Sequence, residues 1–401
     1  MTAPATTGPQ PPPAIAGAPL LRDAPLAAGE RWIYSAGFNV DPGLAATARV
    51  DCELADLLRL LGAGARVAVL AHQGSHRAGT ARPLGFLVPY LEERLGVPVP
   101  YLADPLAAET ARRVAELGPG EPALVGNTRL LAGEEECDPR LVERLAGLGE
   151  RVALGGFSKA HRAHASNVGL VRRLPGWVAD SVARELDALA PWAGAEPGGL
   201  SVAVLGGTKR EKIDPGLVGL ARAYDLVVPA GAVLNALLAA RGQEVGESAL
   251  GECAPAARAT LDALGRGPRA AVAWPARLIV APPGAGPAAA RSIPADAPVP
   301  AGRAIVDFEP DPATIARVGR ATRFLLAGPP SLARAGFRRA PEALLGARAG
   351  AGSTSLLLGG DTAAELPWAG PTSSGGGAAL VYLTTGRCAA VEALAKARAG
   401  R

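Results

Sequence analysis

Lysine is scarce in this chain. Of 41 basic residues among 401, only Lys159, Lys209, Lys212 and Lys396 are lysine, and arginine supplies the rest. Cysteine is sparse too. Cys52, Cys137, Cys253 and Cys388 stand far apart with no paired CxxC spacing, which argues against a zinc ribbon or a disulfide scaffold and suits a cytoplasmic location. Hydrophobic residues make up 49%, yet no apolar run reaches the ~18 residues of a membrane span. The opening "MTAPATTGPQPPPAIAGAPL" has no basic n-region and is broken by prolines, so it fails as a signal peptide and reads as a disordered Pro/Ala-rich extension over 1–22. The net charge is +4, with both signs interspersed and no run of Lys/Arg, so no nucleic-acid partner is expected.

What the chain does have is one unit, repeated. A short apolar run is followed by a loop with glycine or small residues, then by a helical pattern. The runs are "RWIYSAG", "RVAVLAHQG", "PALVGNTRL" and "RVALGGF" in the first half, and "LSVAVLGGTK", "DLVVPAGA", "RLIVAPPG", "RFLLAGPP" and "TSLLLGGD" in the second. Continuous apolar strands alternating with helices predict an α/β protein with mostly parallel sheets covered on both faces. The Gly/Pro segment that ends "DSVARELDALAPWAGAEPGG" divides the halves near residue 190.

Ligands of such sheets bind at the carboxyl ends of the strands. The loops there differ between the halves. The first half presents Asn39, Arg49, His72, Arg129, Lys159, His161, Arg162 and His164, a basic and polar set. The second presents Gly207, Lys209, Lys212, Gly231, Gly328, Gly360 and the run Gly375–Gly377, with Asp361 and Thr362 opening a helix. Bare glycines admit phosphate oxygens to the backbone, and a helix start offers free N–H groups. The alternative for Asp361 and Thr362 is ordinary helix capping. All four histidines fall in "AHQGSH" and "SKAHRAHAS". Arginines beside them disfavour a metal cation, and an anion site is the favoured reading over a metal site or a structural role.

Taken in order, these loops resemble phosphoglycerate kinase over roughly residues 20 to 395. "SAGFNVDPG" looks like the family's RVDFNVP, "AHQGSH" like SHLGRP, and "GGFSKAHRAHAS" like DAFGTAHRAHAS. "GGTKREKID", "LAGPP", "LLGGDTA" and "SSGGGAAL" are similar to the family's nucleotide-side motifs. The resemblance implies two Rossmann-like three-layer lobes joined by a hinge. The first, 23–190, would bind the acceptor acid, and the second, 191–385, would bind ATP or ADP with Mg2+. Residues 386–401 would form a C-terminal helix returning to the first lobe. It further implies that Arg49, Lys209 and the amides near Gly376 stabilise the transferring phosphoryl group. Asn39, His72, Arg129 and Arg162 would hold the acceptor, with Lys159 as a new charge there. Gly207, Lys212, Gly231, Asn235, Gly328, Gly360 and Thr362 would hold the nucleotide, and Asp361 the metal. The expected partners are a small carboxylate substrate and MgATP, with no membrane, in a monomer.

The departures from the family pattern gather on the acceptor side. Gly37 replaces an aspartate that reads the acceptor's hydroxyl, and Ser75 replaces a phosphate arginine, for which His76 or Arg77 would compensate. Leu154 and Gly155 replace an Asn-Asp pair, and Lys159 replaces a threonine. On the nucleotide side the spacing of Lys209 and Lys212 is one residue shorter, Ala327 replaces an asparagine, and the ribose glutamate falls at Ala333 or Arg334. The pattern predicts phosphorylation of a carboxyl group with a changed acceptor, an anionic acid related to 3-phosphoglycerate and of the kind used in secondary metabolism. The alternatives are an ordinary glycolytic enzyme and a catalytically weak nucleotide-binding homologue.

Overall fold

The computed structural model describes residues 17–45, 47–194, 199–349, 354–359, 362 and 365–400. They form two compact units. One holds the described residues up to Ala190 together with Arg387–Gly400, and the other is Pro191–Gly386.

The first unit is built on a six-stranded parallel sheet: β1 (Arg31–Ser35), β2 (Arg66–Leu70), β3 (Tyr101–Leu102), β4 (Pro122–Val125), β5 (Arg151–Leu154) and β6 (Gly176–Val178), in the order β3-β4-β2-β1-β5-β6. In β1, β2 and β5 only the first residue is partly accessible, as strands covered on both faces require. Helix α1 (Ala48–Asp51) carries Arg49, and α2 (Leu54–Gly62) follows after a two-residue break. Leu54, Leu57, Leu60 and Leu61 recur at helical spacing and are buried.

The last six residues of the expected extension do not fit a disordered reading. Leu20 bridges Val178, and Leu21 is fully buried. The C-terminal helix lies in this first unit, where the Ala390 amide donates to the Ala160 carbonyl at 3.0 Å.

The second unit has a parallel sheet of β7 (Ser201–Leu205), β8 (Leu226–Pro229), β9 (Ala271–Val272), β13 (Arg323–Ala327), β14 (Thr354–Leu358) and β15 (Thr372–Ser373), in the order β15-β14-β13-β7-β8-β9. Beside it, β10 (Pro275–Ala281), β11 (Arg291–Pro294) and β12 (Ala304–Pro310) form a separate antiparallel sheet. The run "RLIVAPPG", read as one more parallel strand, is β10 and belongs to this second sheet. An apolar run reports burial, not strand direction. Helix α3 (Gly231–Ala240) follows β8, and α4 (Gly376–Thr385) follows β15. One hydrophobic core gathers Val202, Val204, Val228, Leu234, Phe308, Phe324 and Leu357 from both sheets and from α3.

Candidate functional site

In the first unit the loops after β1, β2, β4 and β5 all leave the same end of the sheet, because every strand is parallel. Buried or half-buried polar side chains join these loops in a ring. Asn39 joins the β1 and β2 loops: its Oδ1 accepts the Gly74 amide at 3.2 Å. Asn127 joins β4 to β2, accepting the Gln73 amide at 3.1 Å and donating to the Gln73 carbonyl at 2.9 Å. Glu134 joins the segment after β4 to the one after β5, accepting the Ser166 amide at 3.0 Å. Glu53, which the sequence reading did not single out, closes the ring between β1 and β5. Its two oxygens accept the Gly37 and Gly156 amides, each at 2.9 Å.

The cations sit on this ring. Arg49 donates through Nη1 to the Asn39 carbonyl at 2.8 Å. Arg129 is buried and ion-paired with Glu135, and its own charge is disfavoured first by burial and then by Arg162. The Arg162 carbonyl accepts from Asn167 Nδ2 at 2.7 Å, and its Nε donates to His161 Nε2 at 3.3 Å. His72 is buried, with Nδ1 lacking a hydrogen-bond partner. Burial, then Arg129, Lys159 and Arg162, hold its pKa well below the ordinary imidazole value. Burial followed by Arg129 and Arg162 takes His164 down to about 3. Both histidines are therefore neutral near pH 7. They offer hydrogen bonds to an anion, while the arginines supply the charge. Asn39, Arg49, His72, Arg129 and Arg162 all lie at this one end.

Lys159 does not behave as the acceptor-side cation expected of it. It is only 4% exposed, and its Nζ donates to Ser35 Oγ, which in turn donates to the Ser166 carbonyl. Burial lowers its pKa to about 8, opposed by Glu53 and Glu134. Glu53 is raised to about 7, chiefly by burial and against the pull of the Gly37 amide and Lys159. The charge at 159 thus faces inward. Two departures noted above belong to the same arrangement. A Cβ on Gly155 would lie 2.4 Å from Glu53 Oε2, and one on Gly37 would lie 2.5 Å from the Gly156 Cα. Glu53 and the Tyr34 ring leave no room for a side chain at Gly155, and the Gly156 backbone leaves none at Gly37, where Glu53 Oε1 would lie 3.0 Å from the added Cβ. Ser75, at the lost arginine position, donates to Glu135 at 3.2 Å, and Arg77 pairs with Glu136 at 2.7 Å. Arg77 is thus engaged with carboxylates beside the loop.

In the second unit the glycines fall into two kinds. Gly206 and Gly328 are required by packing, since a Cβ on Gly328 would lie 2.3 Å from the Gly206 carbonyl oxygen. Gly207 (φ +94°) is different: an added Cβ would meet nothing nearer than 3.8 Å, so its open face is not needed for packing. Gly231 (φ +50°) opens α3, with its amide on the Pro330 carbonyl at 3.0 Å. Lys209 is exposed after β7, whereas Lys212 is 8% exposed. Asn235 is buried and donates to the Ala249 carbonyl at 3.0 Å, so its amide group braces that loop. Gly376 starts α4, and a Cβ there would lie 3.7 Å from the Gly359 Cα. Thr362 is buried, its amide on the Gly359 carbonyl at 3.1 Å. Gly360 and Asp361 lie outside the described residues. At the position of the family's ribose glutamate, Arg334 pairs with Glu365 at 3.0 Å. Glycine backbone at strand ends, a helix start at Gly376 and an exposed lysine suit a polyphosphate. Among the described residues no three His, Cys, Asp or Glu side chains gather as metal ligands, and no single helix is long and apolar enough to cross a membrane.

The family model for phosphoglycerate kinase matches residues 34–395. The chain is 37% identical over 227 residues to the phosphoglycerate kinase of Rhodospirillum centenum, covering 55% of this chain and 57% of that protein. To that of Agrobacterium fabrum it is 36% identical over 227 residues, covering 55% and 56%. These alignments span little more than half the length of the curated relatives. The phosphoglycerate kinase structure from Coxiella burnetii aligns over 94% of this chain and 99% of that one, with TM-score 0.68 and 25% identity. That from Pyrococcus horikoshii aligns over 96% and 100%, with TM-score 0.76 and 21% identity, a likeness of fold.

Proposed function

The chain belongs to the phosphoglycerate kinase family, and from that premise we propose that it transfers the γ-phosphoryl group of ATP to the carboxylate of an anionic acid related to, but distinct from, 3-phosphoglycerate. The products are an acyl phosphate and ADP, and the reaction is reversible. The carrying observation is at Gly37 and Gly155. The family has carboxylates there, and here both positions are bare backbone: Gly155 is closed by Glu53, and Gly37 packs on the Gly156 backbone with its amide on Glu53. Arg49, Arg129 and Arg162 remain to recognise an anionic acid, while the group that reads its hydroxyl and the phosphate arginine at Ser75 do not.

The chemistry asks little of general acid–base groups. Attack of a carboxylate oxygen on the γ-phosphorus breaks the bond to the β–γ bridging oxygen, and no proton need move at neutral pH. What the protein must supply is in-line positioning and compensation of negative charge. Arg162 and Arg129 orient the acid, with neutral His72 and His164 donating or accepting hydrogen bonds. Arg49 and Lys209 compensate charge on the phosphoryl oxygens, with the amides at the start of α4. Gly207, Gly231, Gly328 and the buried Lys212 and Thr362 border the nucleotide. Magnesium, carried on the nucleotide phosphates, would neutralise their charge. We further propose that the enzyme works as a cytoplasmic monomer.

ADP release with a panel of phosphate- and phosphonate-bearing carboxylic acids tests this reading, with 3-phosphoglycerate included. Turnover of another acid at higher kcat/KM than 3-phosphoglycerate supports it. Preference for 3-phosphoglycerate would make this an ordinary glycolytic enzyme, and MgATP binding without turnover of any acid would make it a weak nucleotide-binding homologue.

A further inference from the structure

We propose that Glu53 and Lys159 are positioning residues that set the relative placement of the two acceptor-side arginines, Arg49 and Arg162. For its kinetic consequences the inference rests on the reading above.

The connection can be followed atom by atom. One Glu53 oxygen accepts the Gly37 amide at 2.9 Å. The Gly37 carbonyl accepts the Asn39 amide at 2.7 Å, and the Asn39 carbonyl accepts Arg49 Nη1 at 2.8 Å. In the other direction, the second Glu53 oxygen accepts the Gly156 amide at 2.9 Å. The Gly156 carbonyl accepts the Lys159 amide at 3.0 Å, and the Lys159 carbonyl accepts the Arg162 amide at 2.9 Å. Asn167 Nδ2 then holds the Lys159 and Arg162 carbonyls together at 3.0 and 2.7 Å. A single buried carboxylate thus lies midway between the two guanidinium-bearing segments, and each link is a short hydrogen bond among buried or half-buried groups.

Lys159 makes that carboxylate tenable. Glu53 is 2% exposed, and a buried carboxylate without a counter-charge is costly. Glu53 and Glu134 lie close enough to favour the charge on Lys159, whose ammonium is anchored to Ser35 at the end of β1. A lysine reaches this place on a thin, flexible stem, whereas a planar guanidinium would need a wider opening. The Lys159 stem also lies against Gly156, where a Cβ would be 2.7 Å from Lys159 Cε. Glu53, Lys159, Gly37, Gly155 and Gly156 are therefore one mutually dependent set. This accounts for a lysine, one of only four in the chain, at a position where the family pattern has threonine.

The test uses the full chain with Glu53→Gln, Lys159→Met and the double variant Glu53→Gln/Lys159→Met. Hydrogen–deuterium exchange of peptides covering 36–40 and 155–162 needs no acid. Kinetics use the best acid of the panel. Glu53→Gln keeps the shape but turns one acceptor oxygen into a donor facing an amide. It should speed exchange in both peptides and raise the acid KM about tenfold while the MgATP KM stays within about twofold. Lys159→Met should lower Tm more than the double variant does, because only the single variant leaves a buried carboxylate unpaired. The double variant should recover Tm and keep the raised acid KM, a split that a purely structural role would not produce. Unchanged exchange in either peptide of the double variant, or an acid KM that recovers together with Tm, overturns the proposal. Failure of every acid with the wild-type chain would instead sink the kinase reading, and the exchange result would still decide the role of Glu53.

Discussion

Glu53 Oε2 accepts the amide of Gly156 at 2.9 Å across 103 positions of sequence. Through that bond the short break between α1 and α2 governs the loop that carries Lys159, His161, Arg162 and His164. It also makes the site responsive to pH. Burial raises the Glu53 pKa to about 7, so the folded protein keeps a proton that the unfolded chain has lost. The stabilisation from this group is complete in acid, below the usual carboxylate range, and is lost as pH rises to about 7. Burial lowers Lys159 to about 8, so its contribution is present well above that pH and is lost as pH falls through about 8. The two directions together leave the fold least stabilised by this pair near neutral pH. Thermal melts should show the double variant Glu53→Gln/Lys159→Met gaining on wild type from pH 5 to 7, by on the order of 1 kcal/mol per pH unit. A difference that stays flat with pH would contradict this.

His164 titrates in the opposite sense to Glu53. Its folded pKa of about 3 means its stabilisation is present above the ordinary imidazole value and lost as pH falls toward 3. His164→Gln should flatten the loss of Tm on acidification below about pH 6.5. NMR of the wild type should show a neutral imidazole at pH 6; a protonated ring there would refute the assignment.

Arg129 and Arg162 should separate in mutagenesis. Arg129 is buried and paired with Glu135, which Ser75 and Arg77 also hold, so Arg129→Ala removes a buried charge-assisted pair and should cost about 1–3 kcal/mol of stability as well as acid affinity. Arg162 is half-buried. Arg162→Ala should raise the acid KM about 10- to 100-fold with a smaller loss of Tm than Arg129→Ala. Denaturant melts beside steady-state kinetics distinguish the two patterns.

Lys209 is exposed after β7, with no packing role in view. Lys209→Ala should lower kcat about 100- to 1,000-fold and leave the circular dichroism spectrum and Tm as they are. Retained activity would remove Lys209 from the transfer step.

Restoring an aspartate at Gly155 should fail alone, because its Cβ would lie 2.4 Å from Glu53 Oε2 and 2.6 Å from the Tyr34 hydroxyl. Gly155→Asp should therefore destabilise by about 1–3 kcal/mol or more. Adding Glu53→Ala should return part of that loss. Additive losses in the double variant would show that the two positions are independent.

Much of this was legible in the sequence. The strands before the acceptor loops read plainly, because runs such as "RVAVL" and "RVAL" are buried almost throughout. The positions of Arg49, Arg129 and Arg162 followed from parallel strands sharing one functional end. The placement of β10 did not follow, since an apolar run carries no sign of direction. Lys159 was read as facing an acceptor because it sits in a loop after a strand; loop position tells nothing of where a long side chain turns, and burial turned this one inward. Glu53 was invisible for a related reason. A lone glutamate between helical turns looks like a solvated helix residue until the fold brings Gly37 and Gly156 to either side of it. The bare glycines at 37 and 155 were the one available signal, since two lost side chains at neighbouring strand ends leave a space that something must fill.

The central claim is that a carboxyl group other than that of 3-phosphoglycerate receives the phosphoryl group. Trapping with hydroxylamine tests it most directly, because an acyl phosphate gives a hydroxamate and an ordinary phosphate ester does not. With MgATP and either 3-phosphoglycerate or its analogue lacking the 2-hydroxyl, 3-(phosphonooxy)propanoate, the account predicts hydroxamate from both, and kcat/KM for the analogue equal to or above that for 3-phosphoglycerate. Hydroxamate from 3-phosphoglycerate alone, or from neither acid nor any other in the panel, would contradict it.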